Sequence, residues 1–307
     1  MMYNNKFDVV IVGGGSAGLS AALVLGRSLR NVLVCNNGKP RNSPSYLMHS
    51  FLSRDGTDPS DFLQIAHDQL KSYDTVKIRN IEVRRINRND GGFFDIEFTD
   101  STRVTSRKIL LSTGIVDELP NIQGFSELWG KAVLHCPYCH GWEVRDKPLA
   151  VYGKGRDGLS LALLISNWSD NLVLCSDGSV NLEEKDRKIL VSKHIEIYEQ
   201  KIKRLEYSSV HKLERIVFVD GSSLKREALF IRPTQRQRSS LYAQLGCTIT
   251  ESGKIKIDET GQTTVSGVYA AGDAVRTRQK VIMAASDGVN AAITINQDMV
   301  DEDTQIS

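Results

Sequence analysis

Phe7-Asp8-Val9-Val10-Ile11-Val12-Gly13-Gly14-Gly15-Ser16-Ala17-Gly18 is a short apolar run that leads into a glycine-rich turn. The segment from Ser16 to Arg30 follows with apolar side chains at helical spacing. The next apolar run, Asn31 to Cys35, predicts a second buried strand. Together these segments predict a βαβ unit that carries the Gly-x-Gly-x-x-Gly fingerprint of a dinucleotide-binding fold at its first turn.

The residues of this turn have separate physical roles. Gly13 makes the tight turn, Gly15 lets the backbone approach a pyrophosphate, and the third glycine lets helix and strand pack closely. Ser16 and Ala17 begin a helix whose N-terminus stabilises negative phosphate charge. Asn36 stands where such folds usually carry an acid that binds the ribose. Its amide can still hydrogen-bond ribose hydroxyls, although less strongly than a charged carboxylate does.

A second strand-glycine-helix unit follows in the middle of the chain. Its turn reads Gly153-Lys154-Gly155-Arg156-Asp157-Gly158, and its second strand is predicted over Asn171 to Cys175. Alternating apolar and polar residues predict hairpins over 80–111 and again around Leu213 to Ser223. A C-terminal helix is predicted from about Val281 to Met299. The predicted fold class is therefore α/β, with two Rossmann-like dinucleotide-binding domains.

Between the two glycine turns lies Cys136-Pro137-Tyr138-Cys139-His140, which contains two of the five cysteines. An odd number of cysteines with one close pair is a poor framework for structural disulfides, so this pair is expected to be redox-active or metal-binding. Zinc requires four ligands, and although His135 and His140 flank the pair, the sequence has no second Cys-x-x-Cys and no His-x-x-x-His. The pattern favours redox chemistry, because a helix start favours the reactive thiolate. Cys35 and Cys175, at the ends of predicted strands, are expected to be buried thiols.

The composition excludes several classes of function. The 307 residues suit two domains, and 40% hydrophobic with 25% charged residues allow substantial cores. A net charge of +2 gives no reason to expect nucleic acid or an acidic membrane surface as a partner. No apolar run approaches the roughly 20 residues that a membrane-spanning helix needs, and the polar N-terminus has no signal-peptide pattern. We therefore expect a cytoplasmic protein.

Four segments together resemble the low-molecular-weight thioredoxin reductase family of flavoproteins, and the resemblance covers nearly the whole chain. They are Gly13–Gly18, Ser112-Thr113-Gly114, Cys136–Cys139 and Ala270-Ala271-Gly272-Asp273-Ala274. The resemblance implies an FAD-binding domain split between residues 1–117 and 241–307. It also implies an NAD(P)-binding-like domain, inserted over residues 118–240, that carries the Cys-x-x-Cys pair. Both domains are expected to be three-layer ββα folds, and the protein is expected to form a homodimer.

The resemblance also implies a set of site residues. Cys139 is expected to face the flavin and form the charge-transfer thiolate, while Cys136 attacks an external disulfide. His140 stands where the family has an acid, and it is expected to protonate the leaving thiolate. The residues expected to contact FAD are Gly13, Gly15, Ser16, Ala17, Asn36, Arg41, Asn42, His49, Val83, Thr113, Gly114, Gly272, Asp273, Lys280 and Val281.

Pro40-Arg41-Asn42, the run from His49 to Gly56 and the Cys-Pro-Tyr-Cys-His-Gly sequence look like a branch of the family that includes dithiol oxidases. The segment from Ser176 to Asn181 lacks the arginines with which the family binds the 2′-phosphate of NADPH, and Asp177 would repel that phosphate. NAD(P)H is therefore left open as a cofactor, and the second glycine turn is either a working nucleotide site or an inherited scaffold.

The partner of the cysteine pair is expected to be a thioredoxin-like protein or a small-molecule dithiol or disulfide. Two other functions stay open. One is a dithiol oxidase that passes electrons through FAD to oxygen without nicotinamide. The other is a non-enzymatic flavin redox sensor.

Overall fold

The computed structural model describes residues 5–38 and 40–304, and these divide into two compact units. The first unit takes its described residues from three stretches, Met1–Arg41, Ser60–Val116 and Gln235–Ser307. The second unit takes its residues from two stretches, Asn42–Pro59 and Asp117–Thr234. The chain therefore passes from the first unit into the second twice.

The first part of the chain, up to residue 118, begins with the predicted strand-helix-strand unit. Its elements are β1 (Lys6–Val12), α1 (Ser16–Arg27), β2 (Val32–Asn36), α2 (Pro59–Leu70), β3 (Val76–Asn80), β4 (Val83–Arg88), β5 (Phe94–Phe98), β6 (Arg103–Leu111) and β7 (Ile115–Glu118).

The remainder of the chain contains the second strand-glycine-helix unit and the C-terminal helix. Its elements are α3 (Phe125–Leu128), β8 (Val133–Leu134), α4 (Pro137–His140), β9 (Leu149–Tyr152), α5 (Gly155–Ile165), β10 (Leu172–Cys175), α6 (Glu184–Ser192), β11 (Glu196–Tyr198), β12 (Ile202–Tyr207), β13 (Leu213–Phe218), β14 (Ser223–Lys225), β15 (Ala228–Ile231), β16 (Thr234–Gln237), α7 (Leu241–Gln244), β17 (Val268–Ala270), a 3₁₀ turn (Gly272–Ala274) and α8 (Val281–Thr304).

A seven-stranded sheet forms the centre of the first unit, with parallel strands in the order β3-β2-β1-β6. β17 also pairs with β6 in parallel, while β5 and β4 continue from β6 as an antiparallel meander. Val9, Val10 and Ile11 in β1 are all fully buried, because both faces of this sheet are covered. One face carries α1 and α8 and the other carries the meander, which confirms the predicted three-layer ββα arrangement.

The second unit is built on a five-stranded parallel sheet with the order β11-β10-β9-β15-β8. α5 and α6 pack on one face around Leu161 and Leu190. The antiparallel strands β12, β13 and β14 pack on the other face around Ile216 and Phe218. This arrangement confirms the second Rossmann-like domain. No helix within residues 5–38 and 40–304 is both long enough and apolar enough to span a membrane.

α8 lies against α1 at a contact that only glycine permits. A Cβ added at Gly288 would lie 1.9 Å from the Ala17 carbonyl oxygen, and one added at Gly272 would lie 2.9 Å from the Ala17 Cβ. The backbones of the two helices therefore approach each other directly. The same contact brings the turn at Gly272 to the first residues of α1.

The C-terminal helix runs to Thr304, beyond its predicted end near Met299. Acidic residues in its last turn pair with cations from distant parts of the first unit. Asp303 lies 3.1 Å from Arg30 and 2.8 Å from Arg107, and Glu302 pairs with Lys108. These pairs hold the last turn in place, and local sequence could not reveal them because the partners lie far away along the chain.

The stretch Asn42–Pro59 groups with the second unit, whereas the sequence placed it in the first domain with the rest of residues 1–117. Its hydrogen bonds explain this grouping. The Ser50 hydroxyl donates to the Tyr138 carbonyl at 2.8 Å, and His49 Nε2 lies 3.4 Å from Glu143 Oε1. β7 and β16, which pair in a two-stranded sheet, lie where the chain leaves and re-enters the first unit.

We expect Gly288→Ala to destabilise the protein by about 1–3 kcal/mol, because the new methyl group forces α8 away from the Ala17 carbonyl. In an uncrowded helix the same change would stabilise by about 1 kcal/mol, so the sign of the effect reports the contact. Ser286→Ala, on the exposed side of α8, is the matched control, and its effect should stay below about 0.5 kcal/mol. Urea unfolding measures both variants. A Gly288→Ala protein as stable as the wild type would contradict the contact.

Candidate active site

The first glycine turn is shaped by backbone contacts that exclude a side chain. Gly13 has φ of +117°, and a Cβ there would lie 2.2 Å from the Ser112 carbonyl oxygen. A Cβ at Gly18 would lie 2.0 Å from the Gly13 carbonyl oxygen. The Ser112 hydroxyl donates to the same Gly13 carbonyl at 2.8 Å, which fixes the end of β6 against the turn. The tight turn predicted at Gly13 and the close packing predicted at Gly18 are therefore present in the structure.

Gly15 differs from its neighbours because no atom lies within 4 Å of the position its Cβ would take. It is the N-cap of α1, and no side chain caps the helix. The first amides of a helix have no partner within the helix, so the start of α1 at Ser16 and Ala17 presents donors to open space. Asn36 lies beside this turn, since a Cβ on Gly14 would come within 2.6 Å of its carboxamide carbon.

Several other predicted residues lie around the same edge of the first unit. Thr113 and Gly114 follow the end of β6, and Gly114 has φ of +67° with open space where a Cβ would be. Gly272 contacts Ala17 and thereby brings Asp273 to the start of α1. Arg41 donates to Asp273 at 3.0 Å and to Gln279 at 2.8 Å, which ties the segment after β2 to the segment before α8.

The remaining predicted cofactor residues have different surroundings. Val83 is the first residue of β4, and its side chain is buried in the core beneath the meander. Lys280 and Val281 stand at the start of α8, where the Lys280 carbonyl accepts from the amide of Ala284 at 2.9 Å. Asn42 and His49 lie in the stretch that groups with the second unit.

Cys136 and Cys139 form a disulfide across one helical turn, with Cα atoms 5.3 Å apart. Cys136 is the N-cap of α4, and its carbonyl accepts from the amides of Cys139 at 3.1 Å and His140 at 3.2 Å. Pro137 occupies the first helical position, where its fixed φ suits the helix and its missing amide is not needed. Both cysteines are only partly buried, so the disulfide lies near the surface of the second unit.

The aromatic residues near the pair hold this turn in place. A Cβ on Gly141 would come within 2.7 Å of Trp168 Nε1, so α4 packs directly onto that indole. The Tyr138 ring meets the Trp168 ring edge-on, with centroids 5.6 Å apart. The His135 ring stacks on the Trp129 ring, with centroids 5.4 Å apart. Within the described part of the chain, no group of three or more His, Cys, Asp or Glu side chains is placed to hold a metal ion.

The other three cysteines are chemically distinct from this pair. Cys35, Cys175 and Cys247 are free and buried. Burial raises the pKa of Cys35 and of Cys175 to about 12, and it raises the pKa of Cys247 as well. Because the thiolate is the reactive form, these three thiols are unreactive near neutral pH.

His140 lies directly after the second cysteine, at the end of α4. Desolvation lowers the pKa of its imidazole, the Glu143 carboxylate opposes this, and the His49 ring lowers it further. The sequence predicted His140 as an acid or base but missed Glu143. The His-x-x-Glu spacing was the available signal, because residues three apart on a helical turn are neighbours.

At the second glycine turn, one backbone amide is bonded within the chain. The Gly155 amide, at the start of α5, donates to the Val180 carbonyl at 2.7 Å. Asp177 accepts from the Ile202 amide at 2.7 Å and from the Tyr152 hydroxyl at 3.2 Å. Burial, with the charge of Asp177, raises the pKa of Tyr152 to about 12, so the phenol remains a donor. Asp177 therefore braces its own domain, and its predicted repulsion of the 2′-phosphate of NADPH stays a prediction.

Comparison with known proteins decides the family. The model of the pyridine nucleotide-disulphide oxidoreductase family matches residues 7–292. This chain belongs to that family. The thioredoxin reductase sirT of Leptosphaeria maculans is 30% identical over 307 residues, which cover 94% of this chain and 93% of the relative.

Two solved structures are also similar in sequence and fold to this pyridine nucleotide-disulphide oxidoreductase. The crystal structure of HlmI is 37% identical, with a TM-score of 0.94 over 99% of this chain and 96% of that chain. An oxidoreductase from Agrobacterium tumefaciens is 32% identical, with a TM-score of 0.90 over 96% of this chain and 99% of that chain. The protein is thus a thioredoxin reductase-like, FAD-dependent disulfide oxidoreductase.

The first unit fits the cofactor that this oxidoreductase family uses. The open space over Gly15 and Gly114 would admit a ligand close to the backbone, and the uncapped start of α1 favours a negatively charged group. Asn36 supplies a carboxamide beside the turn, and Asp273 supplies a carboxylate at the start of α1. Amide donors, a carboxamide and a carboxylate are the groups that a dinucleotide's phosphates and hydroxyls require.

We expect mild alkylation at pH 8 to distinguish the two classes of cysteine. After reduction, iodoacetamide should label Cys136 or Cys139 and should leave Cys35, Cys175 and Cys247 unmodified, because burial keeps those thiols protonated. Without prior reduction, none of the five should be labelled. Peptide mass spectrometry reads out each site. Labelling of Cys35 or Cys175 in the folded protein would contradict their assigned burial.

We expect Gly15→Val to weaken FAD binding by at least tenfold without destabilising the flavin-free protein. The substitution adds atoms only where the structure has open space, at a backbone conformation that any residue can adopt. Gly18→Val is the contrasting variant, since its side chain meets the Gly13 carbonyl and should unfold the protein. Flavin content and thermal unfolding measure the two effects. Unchanged FAD affinity in Gly15→Val would move the phosphate site elsewhere.

Proposed function

We propose that this protein exchanges electron pairs between FAD and an external dithiol or disulfide through Cys136 and Cys139. The observation that carries the proposal is the disulfide itself. It is partly exposed, it spans a single turn, and the other three cysteines are buried with raised pKa values. The sulfur chemistry available to a partner is therefore confined to this one pair.

When bound, FAD supplies a two-electron acceptor or donor for the pair. In the oxidising direction, one thiolate of the substrate attacks Cys136 Sγ and breaks the bond to Cys139, which leaves as a thiolate. The second substrate thiol loses its proton and attacks the mixed disulfide. This step releases the substrate as a disulfide and leaves both cysteines reduced. The reducing direction is the same sequence in reverse.

His140 is the residue that we assign to the proton in these steps. It follows Cys139 directly, and its imidazole can hold one proton in the pH range where thiols exchange. In the oxidising direction it would take the proton of the second substrate thiol. In the reducing direction it would return that proton to the leaving thiolate.

Either a thioredoxin-like protein or a small-molecule dithiol is the proposed partner. Relatives named thioredoxin reductase support the first. Exposed aromatic surface beside the disulfide would suit either one, since Tyr138 is 58% exposed and Trp142 is 66% exposed. A homodimer in the cytoplasm is proposed from the family resemblance alone.

A dithiol oxidase is the second candidate, and the second glycine turn favours it. The Gly155 amide donates to the Val180 carbonyl, and the Asp177 carboxylate accepts from the Ile202 amide and the Tyr152 hydroxyl. A pyridine nucleotide would have to displace the first contact to reach the start of α5. In this version, oxygen takes the two electrons and two protons from the dithiol and becomes hydrogen peroxide. No nicotinamide enters the cycle.

Anaerobic reduction of the FAD-loaded protein tests these functions. NADPH, NADH and dithiothreitol are each added separately, and bleaching of the flavin absorbance is followed. We expect dithiothreitol to reduce the flavin rapidly, and peroxide to form once oxygen is admitted. Rapid reduction by a nicotinamide would instead support a reductase, and a clear preference for NADPH would overturn the account of Asp177. Slow, non-catalytic reduction by all three would support a redox sensor.

Cys139→Ser should abolish thiol turnover and leave FAD binding intact, because the disulfide can no longer form. Cys247→Ser is the matched control, since that thiol is buried in the first core and takes no part in exchange. Turnover of dithiothreitol with each FAD-loaded variant measures the effect. Turnover retained in Cys139→Ser would remove the pair from the mechanism.

A further inference from the structure

We propose that Glu143, held by His49 against the turn that carries the disulfide, is a positioning residue for His140. The proposal deepens the function proposed above and rests on it for its consequence in turnover. Its structural part concerns four ionisable side chains in the second unit, His49, Asp55, His140 and Glu143, which belong to the redox turn and the loop that contacts it. Two of them, Glu143 and Asp55, are carboxylates that the sequence did not single out.

The His49 ring is held between two carboxylates. Its Nδ1 lies 3.3 Å from Asp55 Oδ2, and its Nε2 lies 3.4 Å from Glu143 Oε1. Only 17% of the His49 side chain is exposed, whereas 64% of Asp55 and 40% of Glu143 remain open to solvent. An imidazole with an acid at each nitrogen is a bridge that fixes the position of both acids.

The loop that carries His49 is rigidly built. The Met48 amide donates to the Thr57 carbonyl at 2.8 Å, which closes the loop. Ser50 has φ of +65°, and its amide donates to Asp55 Oδ1 at 2.7 Å. The Ser50 hydroxyl reaches the Tyr138 carbonyl at 2.8 Å, inside the turn that joins the two cysteines. The loop therefore places His49 and Asp55 against the redox turn by hydrogen bonds at both ends.

Charges from both segments act on His140. Glu143 lies three residues after it on the continuing turn, and it raises the pKa that desolvation has lowered. His49, from the loop, acts in the opposite direction. Asp55 stays ionised, because the Ser50 amide and then His49 lower its pKa. Two cations of these segments have contacts of their own, since Arg54 donates to the Ser53 carbonyl and Arg145 lies over the Trp142 ring at 3.9 Å.

The arrangement gives the two neighbours opposite effects, and this is its testable signature. Removing the Glu143 charge leaves desolvation and His49 unopposed, so the pKa of His140 falls. The His49 ring acts against Glu143, so its replacement by a side chain that cannot be protonated raises the pKa of His140. If both residues had only a structural role, the pKa of His140 would shift in the same direction in the two variants or would shift in neither variant.

The direct experiment titrates His140 by NMR in the oxidised holoenzyme, with imidazole carbons labelled and His140→Gln used for assignment. We expect Glu143→Gln to lower the pKa of His140 and His49→Gln to raise it. In Glu143→Asp, the pKa of His140 should fall less than it does in Glu143→Gln. Glu214→Gln, an exposed carboxylate on β13 of the same unit, is the matched control and should change nothing. An unmoved titration in Glu143→Gln, or shifts of the same sign in both variants, would overturn the proposal.

The second readout is the pH profile of dithiothreitol oxidation by the same variants. Glu143→Gln should lower turnover about tenfold near neutral pH and move the acid limb of the profile to lower pH. His49→Gln should move that limb to higher pH, and the FAD content should be unchanged in both variants. An unshifted profile in Glu143→Gln counts against the proposal. If the wild type has no dithiol turnover, the proposed function fails, while the NMR titration still decides the role of Glu143.

Discussion

Direct contact between backbones is the constraint on which the first unit depends. At Gly13 and Gly18 the glycine turn folds back on itself and on the end of β6, and at Gly288 the C-terminal helix meets α1. Each contact leaves no room for a Cβ, and the contacts at Gly13 and Gly288 bring together elements that are distant in sequence. The result is a single edge at which the start of α1, the end of β6 and the turn at Asp273 converge. Open space remains at this edge over Gly15 and Gly114.

The second unit keeps one pair of cysteines partly exposed in a chain that has five cysteines. Burial within the cores raises the pKa of three thiols, because a charged sulfur loses its hydration there. Cys136 and Cys139 are placed in a one-turn helix that packs on Trp168 through Gly141. Packing on one side holds the turn, while the other side stays partly exposed. Position and burial together distinguish the partly exposed disulfide from the three buried thiols.

The two glycine turns show that one local pattern can have two outcomes. Both follow a buried parallel strand, and both begin a helix that packs on its sheet. Over Gly15 the space is open, whereas the Val180 carbonyl accepts the Gly155 amide. A turn of this kind is a geometry that presents amide donors, and the neighbouring chain decides whether a ligand or the protein itself receives them.

The sequence by itself determined the two βαβ units, the meander and the uniqueness of the cysteine pair. These features are local, since they depend on apolar spacing, on glycines at fixed offsets and on residues three apart in a turn. The tertiary structure alone decided the bracing role of Asp177, the reach of α8 to Thr304 and the cluster of His49, Asp55 and Glu143. In each case a side chain contacts partners that lie far away along the chain, and no local sequence pattern predicts such contacts. Periodicity reports which face of an element is buried, but only the fold determines which charges meet there.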